Sequence, residues 1–98
     1  MALKHISNWS LLTIIIRPEM ESVKGEVRPT GRQSVLLDFS QPVDVAKGDA
    51  VCFEKTYPRG GADRSSDKTF NCQGHVLSVE QFATYYRVTI TPLGALWS

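Results

Sequence analysis

The sequence lacks the motifs that would identify an enzyme or a nucleotide-binding protein. It contains no phosphate-binding G-x-x-x-x-G-K-[ST] or G-x-G-x-x-G motif and no G-x-S-x-G nucleophile motif. Its two histidines, His5 and His75, belong to no recognisable catalytic triad. These absences favour a non-catalytic protein that requires no cofactor and no metal ion.

A charge excess of one sign and long apolar runs are also missing. The formal net charge is only +1, so any basic surface must arise from local segregation of charges. The longest apolar stretch, residues 11–16, is too short to span a membrane, and residues 1–10 lack the features of a signal peptide. Cys52 and Cys72 are too few for a disulfide framework; we expect buried thiols, although a bond between them stays open. A soluble, cytoplasmic protein is therefore expected.

What the sequence does contain is a repeated pattern of short segments typical of β-strands. Apolar-rich runs, heavy in Val, Ile, Thr and aromatic residues, alternate with clusters of Pro, Gly, Asp and Ser. The chain of 98 residues is long enough for one domain with one hydrophobic core. We predict six strands, with a seventh around Val43 and Val45 as the alternative, over residues 9–17, 20–28, 33–40, 50–57, 69–79 and 84–91.

Several details of these runs predict how the strands are arranged. Residues 11–16 are apolar on both faces, which favours a central strand. Residues 29–31 combine Pro, Thr and Gly, which predicts a tight turn between two strands. In the fifth run the apolar alternation changes after Val76, close to Gly74, which indicates a β-bulge. Residues 80–83 are compatible with one short helical turn.

Together these patterns predict an all-β, single-domain antiparallel barrel over residues 1–98, with a lead-in at residues 1–8 and a tail at residues 93–98. The organisation is similar to OB-like and SH3-like barrels. At the level of fold alone, the chain also resembles small phage-type single-stranded-DNA-binding barrels and small virion or inhibitor proteins. That resemblance implies a binding or assembly module.

Basic and aromatic residues carry the strongest functional signal. In proteins that bind single-stranded nucleic acid, cations contact the phosphate backbone while aromatic rings stack on the bases. Residues of both kinds lie near the predicted turns, around the polar loop at residues 58–68 and on the last strand. The predicted site comprises Arg28, Arg32, Lys55, Tyr57, Arg59, Arg64, Lys68, Phe70, Tyr85 and Arg87. We therefore predict that the protein binds single-stranded nucleic acid without strong sequence specificity.

The alternative is a small protein–protein assembly or inhibitory protein. The two-sided apolar run, together with Trp9 and Trp97 near the chain ends, indicates more apolar surface than one small core covers. A symmetric homodimer is the simplest arrangement that would cover it. Aromatic and arginine side chains suit protein interfaces as well as base stacking, so the composition leaves both functions open.

Overall fold

The computed structural model describes residues 2–58 and 67–98. Within these residues six strands form one sheet and no helix occurs, so the predicted all-β class is confirmed and the helical turn at residues 80–83 is absent. The strands are β1 (Lys4–Ile6), β2 (Leu11–Val23), β3 (Glu26–Phe39), β4 (Ala50–Tyr57), β5 (Lys68–Gln81) and β6 (Tyr86–Pro92).

The sheet is mixed and has the strand order β1-β4-β5-β6-β3-β2. β1 runs parallel to β4, whereas every other neighbouring pair is antiparallel, which departs from the predicted all-antiparallel arrangement. β1 and β2 form the two edges and are not paired with each other, so the sheet is not closed into a barrel.

The two edge strands are nevertheless close together in the chain. Only residues 7–10 separate β1 from β2, and a link of this length spans at most about 17 Å. The sheet must therefore curl until its two edge strands come close enough for residues 7–10 to join them. The curl brings Phe39 of β3 against Phe53 of β4, with ring centroids 6.2 Å apart, although β5 and β6 lie between these strands in the sheet.

The concave face of the curled sheet holds the hydrophobic core. Its fully buried side chains alternate along the strands, as expected when one face of a sheet is covered. They are Val35, Leu37, Phe39, Val51, Phe53, Phe70, Cys72, Val76, Val88 and Ile90. Val43 and Val45 pack against this core from the connection between β3 and β4, where they form no strand. Leu96 of the C-terminal tail is buried with it.

β2 and β3 form a hairpin that is longer than the other strand pairs. Lys24 and Gly25 connect them with φ angles of 52° and 83°, and two consecutive positive φ values are the geometry of a type I′ turn. The turn predicted at residues 29–31 is wrong, because β3 continues through this segment. Pro29 is tolerated because β6 pairs only with Val35–Phe39, so the edge of β3 at Pro29 requires no N–H donor.

β2 is an edge strand, whereas its apolar faces predicted a central one. Ile14 and Ile16 pack against the core, which accounts for one apolar face. Ile15 pairs with Leu36 of β3 on the convex face. The second apolar face is therefore explained by cross-strand contact rather than by a strand on either side.

The bulge predicted in β5 is confirmed by a register shift between Val76 and Ser78 in the pairing with β6. Gly74 precedes this bulge and lies against the end of β6. A Cβ atom at Gly74 would overlap the carbonyl oxygen of Thr91. The close approach of the two backbones therefore requires glycine at this position.

We expect Gly74→Ala to lower the free energy of unfolding by about 1–3 kcal/mol or more, because one backbone must move to admit the methyl group. Urea unfolding followed by tryptophan fluorescence measures the change. Gln73→Ala is the matched control, since Gln73 is exposed on the same strand and its loss should change stability by about 0.5 kcal/mol or less. Equal stability of the two variants would contradict the close approach.

Candidate nucleic-acid interface

Two protrusions leave the sheet at the same end. β3 and β5 run in the same direction, because each is antiparallel to β6. The β2–β3 turn precedes β3 and the β4–β5 connection precedes β5, so both lie at one end of the sheet. The hairpin extends beyond β6 at this end as a two-stranded ribbon formed by residues 17–34. We call this the ribbon end; β2 begins at the opposite end, where Leu11 pairs with Phe39.

The ribbon carries two of the arginines predicted to bind nucleic acid, and both are exposed. Arg28 donates hydrogen bonds to Glu26 at 2.6 and 3.1 Å and pairs across the strands with Glu21. Much of its charge is therefore compensated. Arg32 forms no ion pair with any described residue, so its guanidinium is available to a phosphate group.

An exposed aromatic pair lies at the same end. Tyr57 ends β4, and Trp97 belongs to the C-terminal tail, which pairs with β5 at Phe70. The Tyr57 and Trp97 ring centroids are 5.9 Å apart, and the two residues are 37% and 49% exposed. The Lys55 ammonium group lies 5.8 Å from the centre of the Tyr57 ring. Exposed rings beside a cation are the components of a base-stacking platform.

Trp97 was assigned from the sequence to a protein interface rather than to the nucleic-acid site. Backbone hydrogen bonds hold the tail beside β5: Thr69 and Ser98 exchange two, of 3.2 and 3.1 Å, and the Asn71 N–H donates to the Leu96 carbonyl at 2.7 Å. This pairing places Trp97 next to Tyr57. No local sequence signal indicates it, because the partner strand begins nearly thirty residues earlier in the chain.

Phe70 cannot belong to the predicted binding surface, because its side chain is completely buried. Its ring contacts Phe53 in the core and the ring of Trp97, with centroid distances of 6.3 and 5.2 Å. Phe70 therefore supports Trp97 from below and is not available to stack on a base. Its alternation with Cys72 and Val76 along β5 was the sequence signal that indicated burial.

The predicted patch on the last strand also differs from expectation. Arg87 donates hydrogen bonds of 2.8 and 3.0 Å to the carboxylate of Asp38, and this contact raises the pKa of the guanidinium above its usual value. The Arg87 guanidinium lies 5.5 Å from the rings of both Phe82 and Tyr85, which stack on each other at 4.6 Å. The positive charge of Arg87 is thus compensated by the Asp38 carboxylate. This cluster lies at the end of the sheet opposite the ribbon. Neither Tyr85 nor Arg87 joins the interface.

The remaining predicted cations belong to the polar loop. Arg59 and Arg64 lie outside the described residues. Lys68 is exposed at the start of β5, where it pairs with Tyr57. We define the candidate interface as the residues that the structure places at the ribbon end with a free cation or an exposed ring: Arg32, Lys55, Tyr57, Lys68 and Trp97.

A second group of side chains that could carry out chemistry lies beside β1. The Cys52 Sγ atom is 3.1 Å from Nδ1 of His5, next to a hollow of about 460 Å³. Burial and the nearby carboxylate of Glu54 raise the pKa of the Cys52 thiol, so it is a poor nucleophile at neutral pH. Among the described residues, no three His, Cys, Asp or Glu side chains are grouped so that they could hold a metal ion.

Cys52 and Cys72 are both free thiols. Cys72 points into the core, where burial raises its pKa to about 11. Cys52 lies on the convex face, because successive side chains of a strand alternate between faces and its neighbours Val51 and Phe53 point into the core. The question that the sequence left open is thereby answered against a disulfide.

No protein-family model, no curated protein and no solved structure matches this chain. The described residues include no helix that is long and apolar enough to cross a membrane.

We expect a thiol reagent such as DTNB to modify Cys52 before Cys72, because Cys52 is only partly buried. A raised pKa means less thiolate at a given pH, so the rate at Cys52 should keep rising above pH 8.5, the ordinary thiol pKa. Absorbance at a series of pH values measures this rate. In Cys52→Ser the early phase should vanish; its persistence would contradict the assignment.

Proposed function

We propose that this protein is a non-catalytic binding protein for single-stranded nucleic acid, with little sequence specificity. The proposal rests on one observation: the exposed rings of Tyr57 and Trp97 lie at the same end of the sheet as the free cation of Arg32. Lys55 and Lys68 flank the two rings.

The rings can supply most of the binding energy. A base stacked on an aromatic side chain contributes about 1–3 kcal/mol, and stacking tolerates every base because each has a π-face. Trp97 rests on the buried ring of Phe70, so little side-chain freedom remains to be lost when a base binds. A fixed stacking surface therefore favours unpaired bases, since a duplex does not expose their faces.

The charge of the chain supports a modest electrostatic contribution. Three cations, Arg32, Lys55 and Lys68, belong to the interface, and the whole chain carries a formal charge of +1. Neutralising three phosphates of a single strand corresponds to a slope of about −2 in log K against log salt concentration. Binding should weaken with salt, but less steeply than that of a strongly basic protein.

Trp97→Ala should weaken binding of a labelled single-stranded oligonucleotide by about tenfold or more, because one stacking surface is lost. Fluorescence anisotropy at low salt measures the affinity. Trp9→Ala is the matched control: Trp9 is 66% exposed, but it precedes β2 at the opposite end of the sheet. Equal affinities of the two variants would contradict the stacking role, and absence of binding by the wild type would overturn the proposed function.

Arg32→Ala should reduce the magnitude of the salt slope by about 0.7, the contribution of one phosphate contact on a single strand. Anisotropy titrations at several salt concentrations give the slope. Lys47→Ala removes an exposed cation before β4, at the other end of the sheet, and should leave the slope unchanged. A slope that changes equally in both variants would show that overall charge, rather than this site, determines binding.

A further inference from the structure

The sheet divides in two at the ribbon end. Val35 of β3 and Ile90 of β6 form the last pair between these strands in that direction. Beyond this pair β3 continues into the ribbon with β2, whereas the chain after β6 stays with β5. There the Leu93 N–H donates to the Gln73 carbonyl at 2.6 Å, and Trp97 forms a bridge to the same strand. The ribbon and the tail therefore separate, and a groove opens between them.

This groove, which we call the root groove, is lined by residues 31–33 of β3 and residues 91–94. Its volume is about 390 Å³, which lies within the range of about 300–1,000 Å³ typical of small-molecule sites. Gly31 and Gly94, one on each wall, have φ angles of 78° and 94°, and a Cβ atom at either position would meet open space. Both walls thus present bare backbone that a ligand can approach closely.

Arg32 borders two hollows, and only one of them favours a phosphate group. The hollow on the ribbon side is also lined by Glu19 and Glu21, whose carboxylates repel an anion. The root groove has no acidic residue among the described residues that line it. Gln33 and Thr91, which carry hydrogen-bond donors, line it together with Arg32. A phosphate group that pairs with Arg32 is therefore directed to the root groove.

The root groove also has an apolar wall. Pro92 and Leu93 line it, and the Leu93 side chain is 62% exposed. An apolar wall with a few polar groups is the usual lining of a site for an organic ligand. A nucleotide combines a phosphate with a sugar and a base, so it uses both the cation and the apolar wall. The groove therefore favours a nucleotide over an isolated inorganic anion.

The root groove is continuous with the stacking rings of the candidate interface. Gly94 in the groove and Trp97 are three residues apart, and three residues span at most about 11 Å. Successive nucleotides of a stacked strand are about 3.4 Å apart, so about four nucleotides cover this distance. One short strand can therefore reach the groove and the rings together.

We propose that the root groove is a nucleotide subsite of the nucleic-acid interface. It holds one nucleotide of the strand, with the phosphate on Arg32 and the sugar and base against Leu93, while a neighbouring base stacks on Trp97. The strand then follows the tail from the groove to the rings. This inference rests on the proposed function, because it assigns a path to the strand that the function requires.

The direct test compares Leu93→Ala with Leu12→Ala by fluorescence anisotropy, using a labelled single strand of six thymidine nucleotides. Both changes shorten an exposed leucine, but Leu12 is near the start of β2 at the opposite end of the sheet. We expect Leu93→Ala to weaken binding by about three- to tenfold, because apolar contact is lost. Its salt slope should match that of the wild type, because no charge is removed. Leu12→Ala should bind like the wild type.

A second measurement locates the nucleotide on the protein. In ¹⁵N-labelled wild type, the backbone amide NMR signals of Gly31, Gln33 and Gly94 should shift when the unlabelled six-nucleotide strand is added. Inorganic phosphate at the same concentration should leave them in place. Equal shifts with phosphate would overturn the nucleotide subsite and show a site for an anion only. Signals that do not move with the strand would also overturn it.

The outcomes separate this inference from the function on which it rests. If the wild type binds the strand and Leu93→Ala binds it as tightly as Leu12→Ala, the root groove is not a subsite, and the proposed function stands. If the wild type does not bind the strand at all, the proposed function is wrong and the inference is wrong with it. Circular dichroism establishes that each variant is folded.

Discussion

The four-residue connection between β1 and β2 is the constraint on which the rest of the structure depends. It joins the two edges of a six-stranded sheet, so the sheet cannot lie flat. Once the sheet curls, its own concave face can enclose a core, and Phe39 meets Phe53 across the interior. The described residues thereby enclose their core with one sheet and no second layer. The same curl leaves the β2–β3 hairpin without support beyond β6.

The two ends of the sheet differ in how their polar and aromatic groups are used. At one end Arg87, Asp38 and the stacked rings of Phe82 and Tyr85 satisfy one another. At the ribbon end, cations and rings have fewer partners.

Strand content and the β5 bulge could be predicted from the sequence because both depend on local alternation. The hairpin turn could not, because the Pro-Thr-Gly signal at residues 29–31 is stronger than that of Lys24 and Gly25, and only the pairing register decides between them. The edge position of β2 was missed because cross-strand contact with Leu36 gives the same apolar pattern as a covering layer.

In the candidate interface, too, local sequence indicates some residue positions, whereas others depend on contacts between residues far apart in the chain. Tyr57 and Lys55 lie on the strand that the sequence predicted over residues 50–57. The ion pair of Arg87 with Asp38 joins residues far apart in the chain, and nothing local to either of them indicates it. Trp97 reaches Tyr57 only because the tail pairs with β5. Phe70 is different: its alternation already contained the information that it is buried.

The shortness of β1 has a consequence for the integrity of the sheet. This strand of three residues pairs with residues 51–53 and covers only part of the outer edge of β4, which is eight residues long. Its link between Lys4 and Asp49 is a surface ion pair, which contributes little to stability and is screened by salt. Release of β1 would bare the β4 edge as a template for a foreign strand. Residues 4–6 thus protect part of the β4 edge, independently of any ligand.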